Sequence, residues 1–327
     1  MNQFQYVRAA TAKTAIGALV KDPAAKFIAG GTNLIDLMKS GVTAPQKLVD
    51  INNLPFSEIR KQTKTLYIGA LATNSDVAEN KLVLQNQPLL AMTLNAGASA
   101  QLRNVATIGG NMMQRTRCHY FYNTDLPCNK RQPGSGCGAL EGYNRMHAIF
   151  GASPQCVAVN PSDMNVALAA LDATVLVSGP KGDRQILFSD FHRLPGDRPE
   201  KDNTLAKDEL ITGVEIPDNT FSKNVHYLKV RDRASYAFAL VSVAAALNIK
   251  NNMIKEARLA MGGVAHKPWR LTEAEKALLG KPASEETFKH AANVAMQGAK
   301  GLKYNSFKLK MAPNTIIQAL KTASGIA

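Results

Sequence analysis

All four cysteines of this 327-residue chain lie within one short segment, and this clustering is the feature that most restricts its fold. The stretch "RCHYFYNTDLPCNKRQPGSGC" contains three of them, and the fourth follows closely. They are Cys118, Cys128, Cys137 and Cys156, spaced C-x9-C-x8-C-x18-C. The segment contains several glycines and prolines, so we expect a loop whose conformation depends on the group that the cysteines bind.

Three kinds of chemistry fit four clustered cysteines. They could form two disulfides in an oxidising compartment. They could bind structural zinc, although zinc sites usually supply ligands as close C-x2-C pairs. They could instead provide the four thiolates of a 4Fe–4S cluster, with nearby basic residues offsetting the negative charge. Those basic residues are Arg115, Arg117, Lys130 and Arg131. The spacing alone leaves all three alternatives open.

Two Gly-Gly turns indicate a site for an anion. "AGGTNL" follows a strand-like stretch, and we expect a helix beginning at Thr32–Asn33 that points free N–H groups at a phosphate. "RNVATIGGN", residues 103–111, repeats the pattern. Neither turn fits the G-x-G-x-x-G or P-loop spacing. We interpret the pair as two loops that clamp the phosphates of a dinucleotide, the alternative being ordinary strand–helix connections.

The remaining pattern predicts an α+β protein. Pro88 and Pro161 lie near two helix starts, and Ser75 is a plausible helix N-cap after the strand "TLYIGALAT". Three antiparallel strands follow residue 225, and the middle one is apolar enough to be buried on both faces. Asn251 and Asn252 suit the hairpin turn between the second and third strands. "SEETFKHAANVAMQGAK" and "NTIIQALKTA" are helical, which predicts a small C-terminal sheet-plus-helix domain.

Composition narrows the function classes. Lys and Arg exceed Asp and Glu by 39 to 25, a formal net charge of +14, yet the basic residues are scattered and no base-stacking platform accompanies them. We therefore expect no nucleic-acid binding and interpret the charge as suited to acidic protein partners. No apolar run approaches the roughly 20 residues that span a bilayer. The N-terminal residues do not form a secretory signal, so the chain alone is expected in the cytoplasm.

The whole chain resembles the FAD-binding subunits of the xanthine dehydrogenase and molybdenum hydroxylase family. "AGGTNLIDLMK" and "TIGGN" are similar to the family's two FAD loops, "DELITGVEIP" to the end of its FAD domain, and "ARLAMGGVAHKPWR" to its C-terminal domain. The resemblance implies a two-subdomain FAD-binding fold of the PCMH/VAO type, followed by a small domain of antiparallel sheet plus helices. The domains would be 1–55, 56–222 with the cysteine loop at 115–157, and 223–327.

The resemblance also implies the FAD contacts. The first loop would contact the pyrophosphate and ribityl chain through Lys26, Phe27, Ile28, Ala29, Gly30, Gly31, Thr32, Asn33 and Leu34. The second would contact the opposite side through Thr107, Gly109, Gly110 and Asn111. Asp163 matches an acidic residue associated with FAD, Glu209 lies in a stretch near the adenine, and Lys229 matches a basic residue near the flavin ring. Many relatives have other residues at Thr32 and Asn33.

Most family members lack the cysteine-bearing insert. In having it, the chain resembles the branch of bacterial periplasmic-type aldehyde oxidoreductases, whose flavin subunit carries a 4Fe–4S cluster. This implies FAD and a 4Fe–4S cluster held by the four cysteines. It also implies a heterotrimer with a 2Fe–2S subunit and a molybdenum-cofactor subunit, an external electron acceptor, and periplasmic export with a signal-bearing partner. The chain shows no nucleophile–base set, so we expect no catalytic residue on it. Alternatives are an FAD subunit that reduces NAD, as in xanthine dehydrogenases, and a zinc-stabilised binding module.

Overall fold

The computed structural model describes residues 1–326, and its strands form three separate sheets that follow one another along the chain. The first sheet contains β1 (Gln5–Arg8), β2 (Lys26–Ile28) and β3 (Lys47–Asp50). The second contains β4 (Ile59–Lys61), β5 (Thr65–Gly69), β6 (Thr174–Gly179), β7 (Gly182–Leu187) and β8 (Leu210–Pro217). The third contains β9 (Val225–Val230), β10 (Val241–Lys250), β11 (Met253–Gly262) and β12 (Trp269–Arg270). The expected mixture of helix and sheet, ending in an antiparallel-sheet domain, is confirmed.

Thirteen helices accompany these sheets in the described part of the chain. Two belong with the first sheet, α1 (Ala12–Lys21) and α2 (Leu34–Lys39). Eight follow, α3 (Asn74–Glu79), α4 (Lys81–Asn86), α5 (Pro88–Ala96), α6 (Ala100–Arg103), α7 (Ile108–Met112), α8 (His119–Tyr122), α9 (Asp163–Ala170) and α10 (Phe188–Phe191). The last three are α11 (Thr272–Leu278), α12 (Glu285–Ala295) and α13 (Lys308–Ser324).

The first sheet is parallel, in the order β1-β3-β2, and it presents the first Gly-Gly loop at its edge. Thr11 and Thr14 form a reciprocal capping box that starts α1. The buried face of that helix, Ala15, Ile16 and Leu19, packs on this sheet's core. The loop therefore leaves β2 from a fixed position and runs directly into α2.

The second sheet, β4-β5-β8-β6-β7, is antiparallel and packs against helices α5 and α9. Pro88 occupies the first turn of α5, as expected, because its missing N–H has no helical acceptor there. The helix after β5 is capped by Thr73, whose Oγ1 accepts from the backbone N of Asp76 at 3.1 Å. The prediction of Ser75 as this cap is wrong: Ser75 lies inside α3, and its hydroxyl donates to Asn104 instead.

The third sheet, β12-β11-β10-β9, lies between two cores, which explains the apolar run in its central strand. Ala244 and Ala246 of β10 pack into the core of the second sheet. Val243 and Leu247, on the other face, pack against helices α11 to α13. The prediction that β10 is buried on both faces is confirmed, and the C-terminal domain is therefore firmly packed on the sheet and helices that precede it.

The hairpin between β10 and β11 turns at Asn251 and Asn252, as predicted. Their φ angles are +51° and +58°, the left-handed values that a two-residue type I′ turn needs and that Asn tolerates. Among the described residues, no helix combines the length and the apolar character needed to cross a membrane.

Candidate FAD site and cysteine cavity

The first Gly-Gly loop needs each of its glycines for a different reason. Gly31 has φ +71°, a left-handed conformation that other residues rarely adopt. A Cβ added to Gly30 would lie 1.9 Å from the carbonyl oxygen of Val105. Gly30 therefore permits close contact between this loop and the segment that carries the second Gly-Gly turn, and the two loops form one wall.

The backbone of the first loop is available to an anion. Within the described residues, the N–H groups of residues 30–34 donate no hydrogen bond to the protein. The side chain of Asn33 accepts from the backbone N of Arg115 at 2.9 Å, while its amide nitrogen is buried without a partner. The helix α2 begins at Leu34, after Asn33, slightly later than predicted. Successive free N–H groups in a turn are a recognised anion-binding arrangement, and they fit a pyrophosphate.

Basic side chains surround this loop. Lys26 lies at the start of β2, and its pKa is lowered by partial desolvation and then by the nearby charges of Arg115 and Lys207. Phe27 and Ile28 complete β2, and the carbonyl of Ala29 accepts from Asn52 at 3.3 Å. Lys26 and Lys207 favour a ligand with negative charge, together with Arg115, whose charge Asp202 partly offsets.

The second Gly-Gly turn uses most of its backbone N–H groups within the protein. The N–H groups of Ile108 and Gly109 donate to carbonyls at Ala72 and Ala70, and that of Gly110 donates to the Thr107 hydroxyl that caps α7. A Cβ at Gly109 would lie 3.1 Å from Ala70. This turn therefore packs tightly against the second sheet, and the N–H groups of Ile108, Gly109 and Gly110 are engaged within the protein. The second loop therefore differs from the first in its free N–H groups, and the prediction that the two loops clamp the phosphates from opposite sides stays a prediction.

Asn111 connects the second loop to the next predicted site residue. Its side-chain oxygen accepts from the Ser162 hydroxyl at 2.7 Å, and Ser162 in turn caps α9 by accepting from the N–H of Asn165. Asp163 is the first residue of α9. The "TIGGN" and "PSDM" motifs are thus joined by one hydrogen bond.

Asp163 and Lys229, predicted separately, contact each other. Lys229 Nζ lies 2.7 Å from Asp163 Oδ2, and the Tyr227 hydroxyl donates to Asp163 Oδ1 at 2.5 Å. The side chains of Lys229 and Asp163 are only 4% and 9% exposed. Burial raises the pKa of Asp163 above its usual value, while Lys229 and Tyr227 act in the opposite direction.

A cleft of about 220 Å³ lies beside this pair, between the cysteine segment and the C-terminal domain. Its walls include Ser162, Asp163, Ser242, Gly262 and Gly263. Cys118 and His147 line its other side, and Phe238 is also part of the lining. Asp163, which lines the cleft, pairs with Lys229, the residue predicted to lie near the flavin ring. The lining is mainly apolar, which suits a flat aromatic ring system.

Glu209 forms a bidentate ion pair with Arg184, with N–O distances of 2.6 and 2.7 Å. Its carboxylate also accepts from the N–H of Ala206. The Arg184 hydrogen bonds, more than any other contact, hold the pKa of Glu209 below its usual value. Glu209 thus fixes the turn that precedes β8, and its predicted place near the adenine stays a prediction.

The four cysteines line one small cavity together with Tyr120, Phe121 and Lys130. All four are free thiols in the structure, so the disulfide alternative receives no support. No group of three or more His, Cys, Asp or Glu side chains among the described residues is placed to hold a single metal ion. The donors therefore surround a common space without converging on one point.

The basic residues of the cysteine segment also make other contacts, and the expectation that they offset thiolate charge stays a prediction. Arg117 pairs with Asp36 at 3.0 Å. Arg115 and Lys130 both pair with Asp202, at 2.6 and 2.5 Å. Arg131 donates to the carbonyls of four loop residues: Tyr120, Phe121, Thr124 and Leu126. These residues hold the loop in shape; of them, Lys130 also lies close enough to Cys156 to lower its pKa, against the larger effect of burial.

Sequence reasoning missed several buried polar residues around the two cavities. His147 Nε2 lies 3.1 Å from Cys118 Sγ, and burial, followed by the charge of Lys308, lowers the pKa of His147 to about 4. Lys308 is fully buried and donates to the carbonyls of His147 and Gly263. A lone histidine or a lysine within a helix carries no sequence signal of its own, because its partners lie far away along the chain.

Two family models together match most of the sequence. The family described as "FAD binding domain in molybdopterin dehydrogenase" matches residues 2–219, and "CO dehydrogenase flavoprotein C-terminal domain" matches residues 226–306. The chain therefore belongs to the FAD-binding subunits of the xanthine dehydrogenase and carbon monoxide dehydrogenase family. FAD binding is thereby established, and it agrees with the free N–H groups and cations of the first loop.

Individual relatives agree with this assignment. The chain is 46% identical over 326 residues to the aldehyde oxidoreductase FAD-binding subunit PaoB of Escherichia coli (strain K12), covering 99% of each chain. It is 30% identical to the glyceraldehyde dehydrogenase medium chain of Sulfolobus acidocaldarius, covering 89% of this chain and 86% of that one. A chain of the carbon monoxide dehydrogenase of Hydrogenophaga pseudoflava shares the fold, with a TM-score of 0.78 at 24% identity. The match covers 99% of this chain and 98% of that one.

Proposed function

We propose that this chain is the FAD- and 4Fe–4S-containing electron-transfer subunit of a molybdenum-dependent aldehyde oxidoreductase. In this account an aldehyde is oxidised at a molybdenum cofactor on a large subunit, and 2Fe–2S clusters on a small subunit relay electrons to this chain. FAD suits the last position because it can accept electrons singly and release two together. An external acceptor then takes them.

The aldehyde substrate is supported by the two relatives described above, whose names specify an aldehyde oxidoreductase and a glyceraldehyde dehydrogenase. The first of these matches the chain from end to end at 46% identity, and this is the observation that carries the proposal. The chain itself supplies cofactor binding, and we assign it no part in aldehyde chemistry.

The 4Fe–4S cluster is supported by the arrangement of the cysteines. Four free thiols line one cavity, yet no three potential ligands among the described residues converge on a single ion. A 4Fe–4S cluster takes four thiolates around one space, whereas a single zinc ion requires its ligands to converge tetrahedrally on one point. Burial raises the pKa of Cys118 to about 12 and that of Cys156 to about 11, so metal binding would have to displace these protons.

The residues of this chain have distinct parts in holding FAD. The free N–H groups of residues 30–34 bind the pyrophosphate, with Lys26 and Lys207 adding positive charge. Asn111 and Ser162 fix the second loop against α9. Lys229 borders the ring side of the site and is held in place by Asp163.

We further propose that the chain assembles with a 2Fe–2S subunit and a molybdenum-cofactor subunit, and that the complex reaches the periplasm with a signal-bearing partner. The resemblance of the cysteine segment to the periplasmic-type branch supports the location. The net charge of +14 supports acidic surfaces on the partners. Expression with and without the partner genes, followed by cell fractionation, tests the export model, and periplasmic protein without any partner would contradict it.

Purification of the native complex and an activity screen with aldehydes and electron acceptors test the function. We expect aldehyde-dependent reduction of an artificial acceptor by the complex and none by this chain alone. A complex that oxidises xanthine but no aldehyde would overturn the substrate class. Reduction of NAD by the complex would identify NAD as the external electron acceptor, as in xanthine dehydrogenases.

A further inference from the structure

Cys118 differs from the other three cysteines in its position. All four line the cysteine cavity, but Cys118 alone among them also lines the cleft next to Asp163. It is half-buried, and it precedes α8 as the helix N-cap residue. Its side chain is therefore part of the wall that separates the cleft from the cysteine cavity.

His147 is the side chain that contacts Cys118 at this wall. Its Nε2 lies 3.1 Å from Cys118 Sγ, and the ring is 5% exposed. Its other nitrogen, Nδ1, is buried without a hydrogen-bond partner in the described chain. The ring therefore makes its one side-chain hydrogen bond to this sulfur. A metal-bound thiolate has no proton to give, so the donor in that state would be His147 Nε2–H.

The backbone of His147 is held in place by the C-terminal domain. Its carbonyl accepts from Asn305 Nδ2 and from Lys308 Nζ, both at 3.0 Å. Lys308 donates as well to the carbonyl of Gly263, at 2.7 Å, and Gly263 lines the same cleft. Two buried donors thus fix the imidazole relative to both the cleft and the cysteine.

We infer that His147 is a positioning residue for the iron–sulfur site: it donates Nε2–H to Cys118 Sγ, holds that sulfur on the wall shared with the flavin cleft, and raises the reduction potential. This inference rests on the proposed 4Fe–4S cluster. Hydrogen bonds to ligand sulfurs stabilise the more negative, reduced state of such clusters, and they are among the factors that set the potential. Among the described residues, the other three cysteine sulfurs have no hydrogen bond with a histidine side chain.

The test compares His147→Leu, which removes the donor, with His147→Gln, which keeps an N–H group of similar reach. His290→Gln is the matched control, because His290 is exposed on α12 and remote from both cavities. Each variant is produced as the full chain together with its partner subunits. Iron per FAD, the EPR spectrum of the reduced cluster and its midpoint potential are measured.

We expect His147→Leu to shift the midpoint potential to a more negative value and to change the EPR spectrum, and His147→Gln to restore much of both. Iron loss in the Leu variant with retention in the Gln variant would support the same role. Equal potentials in the parent and the Leu variant, or equal shifts or iron loss in the Leu and Gln variants, would overturn the inference. A parent complex without iron in this subunit would instead overturn the proposed function, so the two failures are distinguishable.

Discussion

Lys229 and Asp163 form a buried ion pair, 2.7 Å apart, between β9 of the C-terminal domain and the first turn of α9. Lys229 also donates to the carbonyl of Ala96 at the end of α5. One side chain therefore joins three elements beside the cleft. This pair explains how the C-terminal domain can influence a site whose loops belong to the FAD-binding domain.

Replacing Asp163 with Asn should leave the Lys229 ammonium buried without its counter-charge. We expect a loss of about 3–5 kcal/mol in the free energy of unfolding, together with reduced FAD occupancy. Urea unfolding and FAD content of the full chain measure the two effects. The double variant D163N/K229M should recover part of the stability, and simple additivity of the two single changes would contradict direct coupling.

Replacing Gly30 with Ala should separate the two FAD loops, because the new Cβ would lie 1.9 Å from the Val105 carbonyl oxygen. We expect a loss of roughly 1–3 kcal/mol in stability from the overpacked contact, and poor retention of FAD. Gly17→Ala is the control, since a Cβ at Gly17, within α1, has nothing within 4 Å. Full FAD content in Gly30→Ala would mean that the loop contact does not shape the site.

Replacing Cys118, Cys128, Cys137 or Cys156 singly with Ser should remove most of the iron, because a cluster of this type needs a thiolate at each corner. FAD should remain bound, since the first FAD loop, residues 26–34, contains none of the four cysteines. Glu141→Gln, an exposed change in the same loop, is the control. Iron content that is unchanged in all four Ser variants would exclude a cluster at this cavity.

Acid should weaken the fold through His192, which is buried and whose Nε2 lies 3.0 Å from the carbonyl oxygen of Met112 at the end of α7. Burial lowers the pKa of His192 to about 4, so the folded state binds its proton less readily than the unfolded state does. Its contribution to stability is therefore complete above pH 6.5 or so and is lost as the pH falls towards about 4, a change of about 3 kcal/mol.

The variant His192→Gln keeps an amide donor but has no such titration. Between pH 7 and pH 4 its unfolding free energy should therefore fall less steeply than that of the parent. His147 and His266 also have lowered pKa values near 4, so some slope should persist. His290→Gln, an exposed change, should keep the parent slope. Identical slopes for the parent and His192→Gln would show that His192 does not titrate in this range.

The features that could be predicted from the sequence are those set by short stretches of the chain. A Gly-Gly turn between a strand and a helix, an Asn-Asn hairpin and an apolar central strand all follow from backbone conformation and burial within short stretches. The cysteine loop was predictable as a single unit because its four cysteines lie close together along the chain.

Long-range partners could not be predicted in the same way. Asp163 and Lys229 each carried a signal, but nothing local to either residue indicated that they pair. Arg117 and Lys130 were expected to offset thiolate charge, and nothing local indicated that carboxylates from distant segments, Asp36 and Asp202, also bind them. The close approach of Gly30 to Val105 likewise depends on how two loops that are far apart in the sequence pack against each other.

The most direct test of the account is the cofactor content of this subunit, isolated anaerobically from the native complex. Iron, acid-labile sulfide, zinc and FAD would be assayed on the same sample, with EPR of the reduced protein. The account predicts FAD together with about four irons and four sulfides per chain, with the EPR signal of a reduced 4Fe–4S cluster. FAD with zinc in place of iron, or FAD with no metal at all, would contradict it.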